Sequence, residues 1–452
     1  MWLGCAEITL TTLFLALDVV LGIVYYPVMW LFSSNRSPRA DPVVTKAAGG
    51  KRKTVVIVGG SFGGLTALRH LTNYPDIRVV LVDQRKYYEY VPGILRLFCD
   101  PSLHKSIARP MPTFSSTSSH EFVHGCVKQI NAKSIVVHAF GTATANAART
   151  TTIAYDHIII ATGADYRAPI TPSPNETDYR TRHATWQDQA ARLQSAKSVL
   201  ILGGGAVGTE LAAEIACHFP EKQLSIVDGQ ERLLPLFPRE TSDHARRWFT
   251  DRGVELLMGQ TIGDISDKGC LLKKSGRELR ADLVFVCFGM RPNTAMIKDG
   301  DMSACLSDRG LIQVNENLQV EGFPHAFAVG DAMAHPAREI KQAYYAELNG
   351  KAAAENVLRL VAEKPLLKYP DDIVGSAISP LVYVVSLGRY DGSLGFNQLT
   401  INGGLAALVK FVLEWTKVKQ MEGRPIGLAV WAFGDAMSFF LSRWVFKPKA
   451  AL

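Results

Sequence analysis

Val55-Val56-Ile57-Val58-Gly59-Gly60-Ser61-Phe62-Gly63-Gly64 and, further along, Val199-Leu200-Ile201-Leu202-Gly203-Gly204-Gly205-Ala206-Val207-Gly208 decide the fold of this chain. Each stretch is a short apolar run, which predicts a buried strand, broken by glycines that open a helix. Each is followed by a second apolar run that ends in an acid: Val79-Val80-Leu81-Val82-Asp83 and Leu224-Ser225-Ile226-Val227-Asp228. Strand, glycine turn, helix, strand and acid together form a unit that holds a dinucleotide. The first glycine permits the tight turn, the second lets main chain approach the pyrophosphate, and the third lets the helix pack on the strand. The helix N-terminus presents unpaired N–H groups to the phosphates. The acid accepts from the ribose hydroxyls. Gly203, Gly205 and Gly208 fill all three positions of the second turn. In the first turn Gly59 and Gly64 flank Ser61, whose side chain stands where main chain should meet phosphate, so this turn fits less well. Two complete units argue for a flavin and a nicotinamide bound side by side.

The 452 residues are 47% hydrophobic, enough for two to four domains with sizeable cores. The net charge of +7 comes without a long basic tract. Such a balance suits an anionic membrane surface and gives no reason to expect specific nucleic acid binding. The seven cysteines include no Cys-x-x-Cys pair. That pattern points to a reducing compartment and away from a structural zinc or a redox-active disulfide, so no metal site is expected.

Residues 8–32 carry a single charge, Asp18. A helix of this length spans roughly 37 Å, enough for a hydrocarbon core of about 30 Å. No Lys or Arg precedes the stretch, which argues against a cleaved signal peptide. Arg36, Arg39, Lys46, Lys51, Arg52 and Lys53 follow it, so the positive-inside rule places the remaining domains on the cytosolic side of a membrane. Gly22 and Pro27 leave open a bent insertion that does not cross. Endoplasmic reticulum, lipid droplet, mitochondrion and plasma membrane all remain open.

The expected class is α/β: two Rossmann-like domains, the first split in sequence by the second, with a C-terminal α+β region and an N-terminal membrane helix. The expected boundaries are 1–52 for anchor and linker, 53–165 and 303–365 for the two parts of the first nucleotide domain, 166–302 for the second, and 366–452 for the C-terminal domain. A strand-rich excursion is expected over roughly 120–155, and Tyr155–Gly163 reads as a return strand ending in a turn.

The turn at 59–64, Ala161-Thr162-Gly163, the turn at 203–208 and Gly330-Asp331, in that order, resemble the pyridine nucleotide–disulfide oxidoreductase superfamily of flavoproteins. The turn at 59–65 and Ser386-Leu387-Gly388-Arg389-Tyr390-Asp391-Gly392 are similar to its apoptosis-inducing-factor homologue branch, related to the type II NADH dehydrogenases. The resemblance covers about 53–420.

By this resemblance, Gly59, Gly60, Ser61, Gly63, Gly64, Asp83, Ala161, Thr162 and Gly163 would hold FAD, and Gly330 and Asp331 its ribityl and phosphate region. Lys341, Gln342 and Ala343 would open a helix aimed at the flavin N1–C2=O edge, where a helix N-terminus stabilises negative charge. Gly203, Gly205, Gly208, Asp228 and Gly289 would hold NADH, with NADPH left open by Arg232. Glu210 would face the junction of the two cofactors, or else be a first-turn carboxylate that only complements the helix dipole. Lys417 lies where the branch has a functional lysine near the acceptor, or else is a solvated surface lysine.

The resemblance implies electron flow from NADH through FAD to a ubiquinone-like membrane quinone, with Glu210 and Lys417 on the proton route. A reductase of a small redox protein and a redox-sensing cell-death effector are the alternatives, and a homodimer is open. Residue 2 is Trp where branch members carry a myristoylation glycine. The stretch 426–446 is more apolar than the branch pattern implies and reads as a buried or an interfacial helix.

Overall fold

The computed structural model describes residues 7, 9–13, 18, 52–111, 120–140, 149–167, 169–337 and 339–446. The first glycine turn joins β1 (Lys53–Val58) to α1 (Phe62–Leu71), and β2 (Ile77–Asp83) returns parallel to β1 with Val55 opposite Val79. Val55, Val56 and Ile57 are fully buried. Such strands, apolar on both faces, belong in a parallel sheet with both faces covered. The expected excursion is the antiparallel meander of β3 (His120–Ile130), β4 (Ser134–Ala139) and β5 (Arg149–Ala154). β6 (His157–Ile160) then pairs with β1 and leads into Ala161.

α2 (Tyr179–Ser195) is started by Asp178, whose carboxylate accepts from the N–H groups of Arg180 and Thr181. It leads into the second unit: β7 (Ser198–Leu202), α3 (Ala206–His218), β8 (Gln223–Val227), β9 (Glu255–Leu257) and β10 (Leu283–Val286). Their sheet is parallel, in the order β9-β8-β7-β10. β11 (Gln319–Val320) and β12 (Phe323–Ala328) carry the chain back to the first sheet, where β12 pairs with β6. That sheet has eight strands in the order β11-β12-β6-β1-β2-β3-β4-β5.

α4 (Ala343–Val361) crosses α1 at a point where only glycines fit: a Cβ on Gly350 would lie 2.2 Å from the carbonyl oxygen of Gly63. The C-terminal region is an antiparallel sheet of β13 (Val382–Ser386), β14 (Gly392–Phe396) and β15 (Leu399–Asn402), followed by α5 (Gly404–Met421) and α6 (Pro425–Phe440).

Most of the expected anchor at 8–32 lies outside the described residues. Its one charge does not: Asp18 is buried, pairs with Arg424 at 2.6 Å and accepts from the main-chain N–H of Ile426 at the start of α6. A carboxylate there also complements the α6 dipole. Pro425–Val445 is long and apolar enough to cross a membrane, with mean hydropathy 1.3. Its first residues and Ser442 are buried, and Phe433 and Trp444 are 66% and 68% exposed.

Candidate functional site

The two glycine turns hold their acids in the same way. Asp83 Oδ2 accepts from Gly60 N at 2.6 Å and its Oδ1 from Arg85 N at 2.7 Å. Asp228 Oδ2 accepts from Gly204 N and its Oδ1 from Gln230 N at 2.7 Å. Gly59 and Gly203 take φ of +103° and +115°, the left-handed side that favours glycine. A Cβ on Gly64 would lie 1.8 Å from Gly59 O, and one on Gly208 the same distance from Gly203 O. Those two glycines let each helix sit down on its strand.

Gly205 is the position where a Cβ meets no protein atom within 4 Å. Ser61 occupies the same place in the first turn, at the N-cap of α1 in an extended conformation, and its hydroxyl makes no capping bond. The open side of that turn therefore accommodates a serine, and the hydroxyl stands where a phosphate would approach. Gly63 faces α4, so its missing side chain also serves helix packing.

Gly208→Ala forces a methyl against a main-chain oxygen. The variant should lose about 1–3 kcal/mol of stability, because α3 must lift from β7. Guanidinium unfolding is the measurement; wild-type stability would refute the packing role given to this glycine.

A third station lies at the ends of β6 and β12. Gly59 is pressed against Ala161, where a Cβ would come within 2.3 Å of the carbonyl oxygen. The Thr162 hydroxyl is buried with no hydrogen-bond partner among the described residues, and Gly163 borders open space. Tyr166 Oη donates to Asp331 Oδ2 at 3.3 Å. Burial pushes the Asp331 carboxyl up, against the pull of the Lys341 charge. Lys341 Nζ donates to the carbonyls of Gly330 at 3.2 Å and Met333 at 2.6 Å, tying down the loop before α4. Gln342 is the N-cap of α4 and makes no side-chain capping bond. α1, α3 and α4 therefore all begin without a side chain on their first N–H groups. Gly289, just past β10, is left-handed and open. Uncapped helix starts, an orphaned hydroxyl and glycine cradles fit the phosphates and polar edges of two dinucleotides.

Glu210 sits in the first turns of α3 and faces the C-terminal sheet. Its Oε1 accepts from Ser386 N at 2.8 Å, from Ser386 Oγ at 3.2 Å and from Lys410 Nζ. Lys410 Nζ also donates to Ser386 Oγ at 2.8 Å. Three elements, α3, the end of β13 and α5, thus converge on one carboxylate. Lys410 was not among the expected site residues.

Lys417 sits elsewhere on α5. It is 2% exposed, bonded to both Glu347 oxygens at 2.7 and 2.8 Å and to Gln420 at 2.8 Å, and lies 3.3 Å from the centre of the Trp431 ring. It is therefore neither a solvated lysine nor a partner of Glu210. The two lysines are seven residues apart, nearly two full helical turns, so they share one face of α5 about 10 Å apart. Spacing alone could not choose between them.

The model of the pyridine nucleotide-disulphide oxidoreductase family matches residues 53–350. Among curated proteins, ferroptosis suppressor protein 1 of Homo sapiens is 28% identical over 352 residues, covering 75% of this chain and 87% of its own. Apoptosis-inducing factor homolog B of Dictyostelium discoideum is 24% identical over 366 residues, covering 76% and 89%. Among solved structures, NDH2 of Plasmodium falciparum in complex with NADH superposes with a TM-score of 0.65 at 14% identity, over 88% of this chain and 99% of that one. The sulfide:quinone oxidoreductase of Aquifex aeolicus gives 0.66 at 15%, over 87% and 95%. With its doubled turns, its split first sheet and a match over most of its length, the chain belongs to the pyridine nucleotide-disulphide oxidoreductase family.

Proposed function

We propose that this protein is an FAD-dependent NADH oxidoreductase that passes electrons to a ubiquinone-like quinone drawn from a membrane. The observation that carries the proposal is the convergence of Glu210, Ser386 and Lys410 beside the start of α3, in a fold that also holds the first glycine turn and a third uncapped helix. When bound, the flavin supplies the redox chemistry, taking hydride from the nicotinamide and giving two electrons to the acceptor. The chain holds, orients and manages protons. Gly59, Ser61, Gly64, Thr162 and Asp331 would hold FAD, and the α4 start would stabilise negative charge at its pyrimidine edge. Gly203, Gly205, Gly208 and Asp228 would hold the nicotinamide cofactor. Glu210 and Lys410, bridged by Ser386, would hold protons at the acceptor. The exposed aromatic face of Pro425–Val445 suits a helix seated in the headgroup layer, near the source of such a substrate.

Asp228 repels a 2′-phosphate. Arg232 gives no counterweight, because its guanidinium is engaged by the carbonyls of Pro235 at 2.8 Å and Phe237 at 3.0 Å. With short-chain ubiquinone as acceptor, kcat/KM for NADH should exceed that for NADPH by at least about tenfold, the scale of one lost charge contact. Flavin-loaded protein that oxidises NADH with ferricyanide but not with ubiquinone would remove the quinone assignment, and a clear NADPH preference would remove the cofactor assignment.

A further inference from the structure

Reduction of a quinone by NADH consumes a proton from water: NADH + H⁺ + Q gives NAD⁺ + QH₂. The hydride carries both electrons and one proton, and the quinol needs two protons. Glu210 and Lys410 are mostly covered, so the second proton must be conducted to them. α3 carries titratable side chains at Glu210, Glu214 and His218, four residues apart each time. That spacing stacks them on one face, with about 6 Å between neighbours and about 12 Å from end to end.

Glu214 occupies the middle, with a side chain 12% exposed, and nothing in the proposed chemistry has used it. His218 Nδ1 is hydrogen-bonded to the Glu214 main-chain carbonyl at 2.9 Å and lies 3.7 Å from Glu214 Oε2, so a rotation of the ring brings it to the carboxylate; the His218 side chain is 41% exposed. His218 also lines a cavity of about 500 Å³ walled by Cys217, Phe219, Lys222, Arg252 and Tyr390. Arg96 faces Glu214 while bonded to Glu414 on α5, so its charge is divided between the two carboxylates.

We propose that His218 and Glu214 relay a proton from this cavity to the Glu210–Lys410 pair during quinone reduction; this rests on the quinone reading above. The charges facing Glu214 come from every neighbouring element: Glu210 and His218 on α3, Arg96 from the segment Val91–Phe98, Lys410 on α5, and Arg389 with its partner Glu7. Cys99 and Cys217 lie beside it as well. Burial pushes the Glu214 carboxyl up, Arg96, His218 and Lys410 pull it down, and Glu210 adds to the rise. A carboxyl held above its usual range exchanges protons more readily near neutral pH.

The test compares acceptors in the flavin-loaded protein. Glu214→Gln keeps the shape and removes the titration. It should slow NADH:ubiquinone turnover about tenfold and raise the solvent deuterium isotope effect, while NADH:ferricyanide turnover, which takes up no proton, stays at the wild-type rate. His218→Phe should slow quinone turnover less, and added imidazole should restore it. Wild-type quinone turnover with an unchanged isotope effect in Glu214→Gln overturns the relay, as does an equal loss with both acceptors. Should Glu214→Gln fail to retain flavin, His218→Phe decides: no slowing, or no rescue by imidazole, overturns it. Wild-type protein that reduces ferricyanide but never ubiquinone refutes the quinone reading itself and the relay with it.

Discussion

Lys410→Met is expected to lower ubiquinone turnover about a hundredfold while NADH still bleaches the flavin at close to its wild-type rate, the range typical of losing a positioned acid or a charge at the reacting centre. The substitution keeps the length and apolar stem of the side chain and removes the ammonium that bridges Glu210 and Ser386. Hydride arrival should be spared, because the turns that would hold the nicotinamide lie on β7, α3 and β8 and make no use of Lys410.

The matching change seven residues on should behave in the opposite way. Lys417→Met removes a buried charge from Glu347, with Arg69 left as a neighbour of that carboxylate. Burial pushes the Lys417 ammonium down and Glu347 holds it up, so the pair is a packed ionic contact between α4 and α5. Removing one partner of such a pair costs about 3–5 kcal/mol of stability, with turnover per folded molecule changed only slightly. Stopped-flow flavin reduction, steady-state quinone turnover and chemical denaturation of both variants separate the two roles. A Lys417→Met protein that is stable but inactive, beside an active Lys410→Met, would reverse the assignment.

The two lysines also mark how far the sequence could be read. The glycine turns were legible because their requirements are local: a left-handed Gly59, a Gly64 with main chain 1.8 Å away, an acid at the end of the next strand. The α/β class and the meander at 120–155 followed from apolar runs and β-branched residues for the same reason. Gly63 also packs against Gly350, far along the chain, and only the crossing of α1 and α4 shows it. Lys410 and Lys417 lie on one helical face, so the choice between them depends on where α3 and β13 meet α5. The expected membrane stretch raised a further point that composition could not settle: Asp18, its single charge, is matched by Arg424. Glu89, Arg182 and Trp186 gave no signal at all, since nothing in a sequence joins a short strand to a helix so far downstream.

That buried cluster sets the last prediction. Glu89 accepts from Trp186 Nε1 at 2.9 Å and from Arg182 at 3.0 and 3.2 Å, and His104 Nε2 lies 2.9 Å away. Arg182 is fully buried and also reaches Glu176 and the carbonyls of Pro169 and Ile170. The cluster fastens α2 to the strand Tyr87–Glu89. Phe98, packed edge-on against both Trp186 and Phe285 of β10, extends the contact to the second sheet. Glu89→Gln preserves an acceptor for Trp186 but leaves the Arg182 charge without its main partner, so it should cost about 3–5 kcal/mol at pH 7. The pH dependence has a definite sign. Burial alone would raise the Glu89 carboxyl, but the adjacent His104 imidazole and the Arg182 charge outweigh it and hold it down to about 2. A carboxylate whose pKa is depressed in the folded state contributes its full stability above its unfolded value of about 4.3 and loses it as pH falls toward the folded value. The stability gap between wild type and Glu89→Gln should therefore be widest at neutral pH and narrow from about pH 5 to pH 3. Guanidinium unfolding of both proteins across that range, followed by tryptophan fluorescence, gives the answer. A gap that stays constant to pH 3 would mean that packing, and not the ion pair, holds α2 in place.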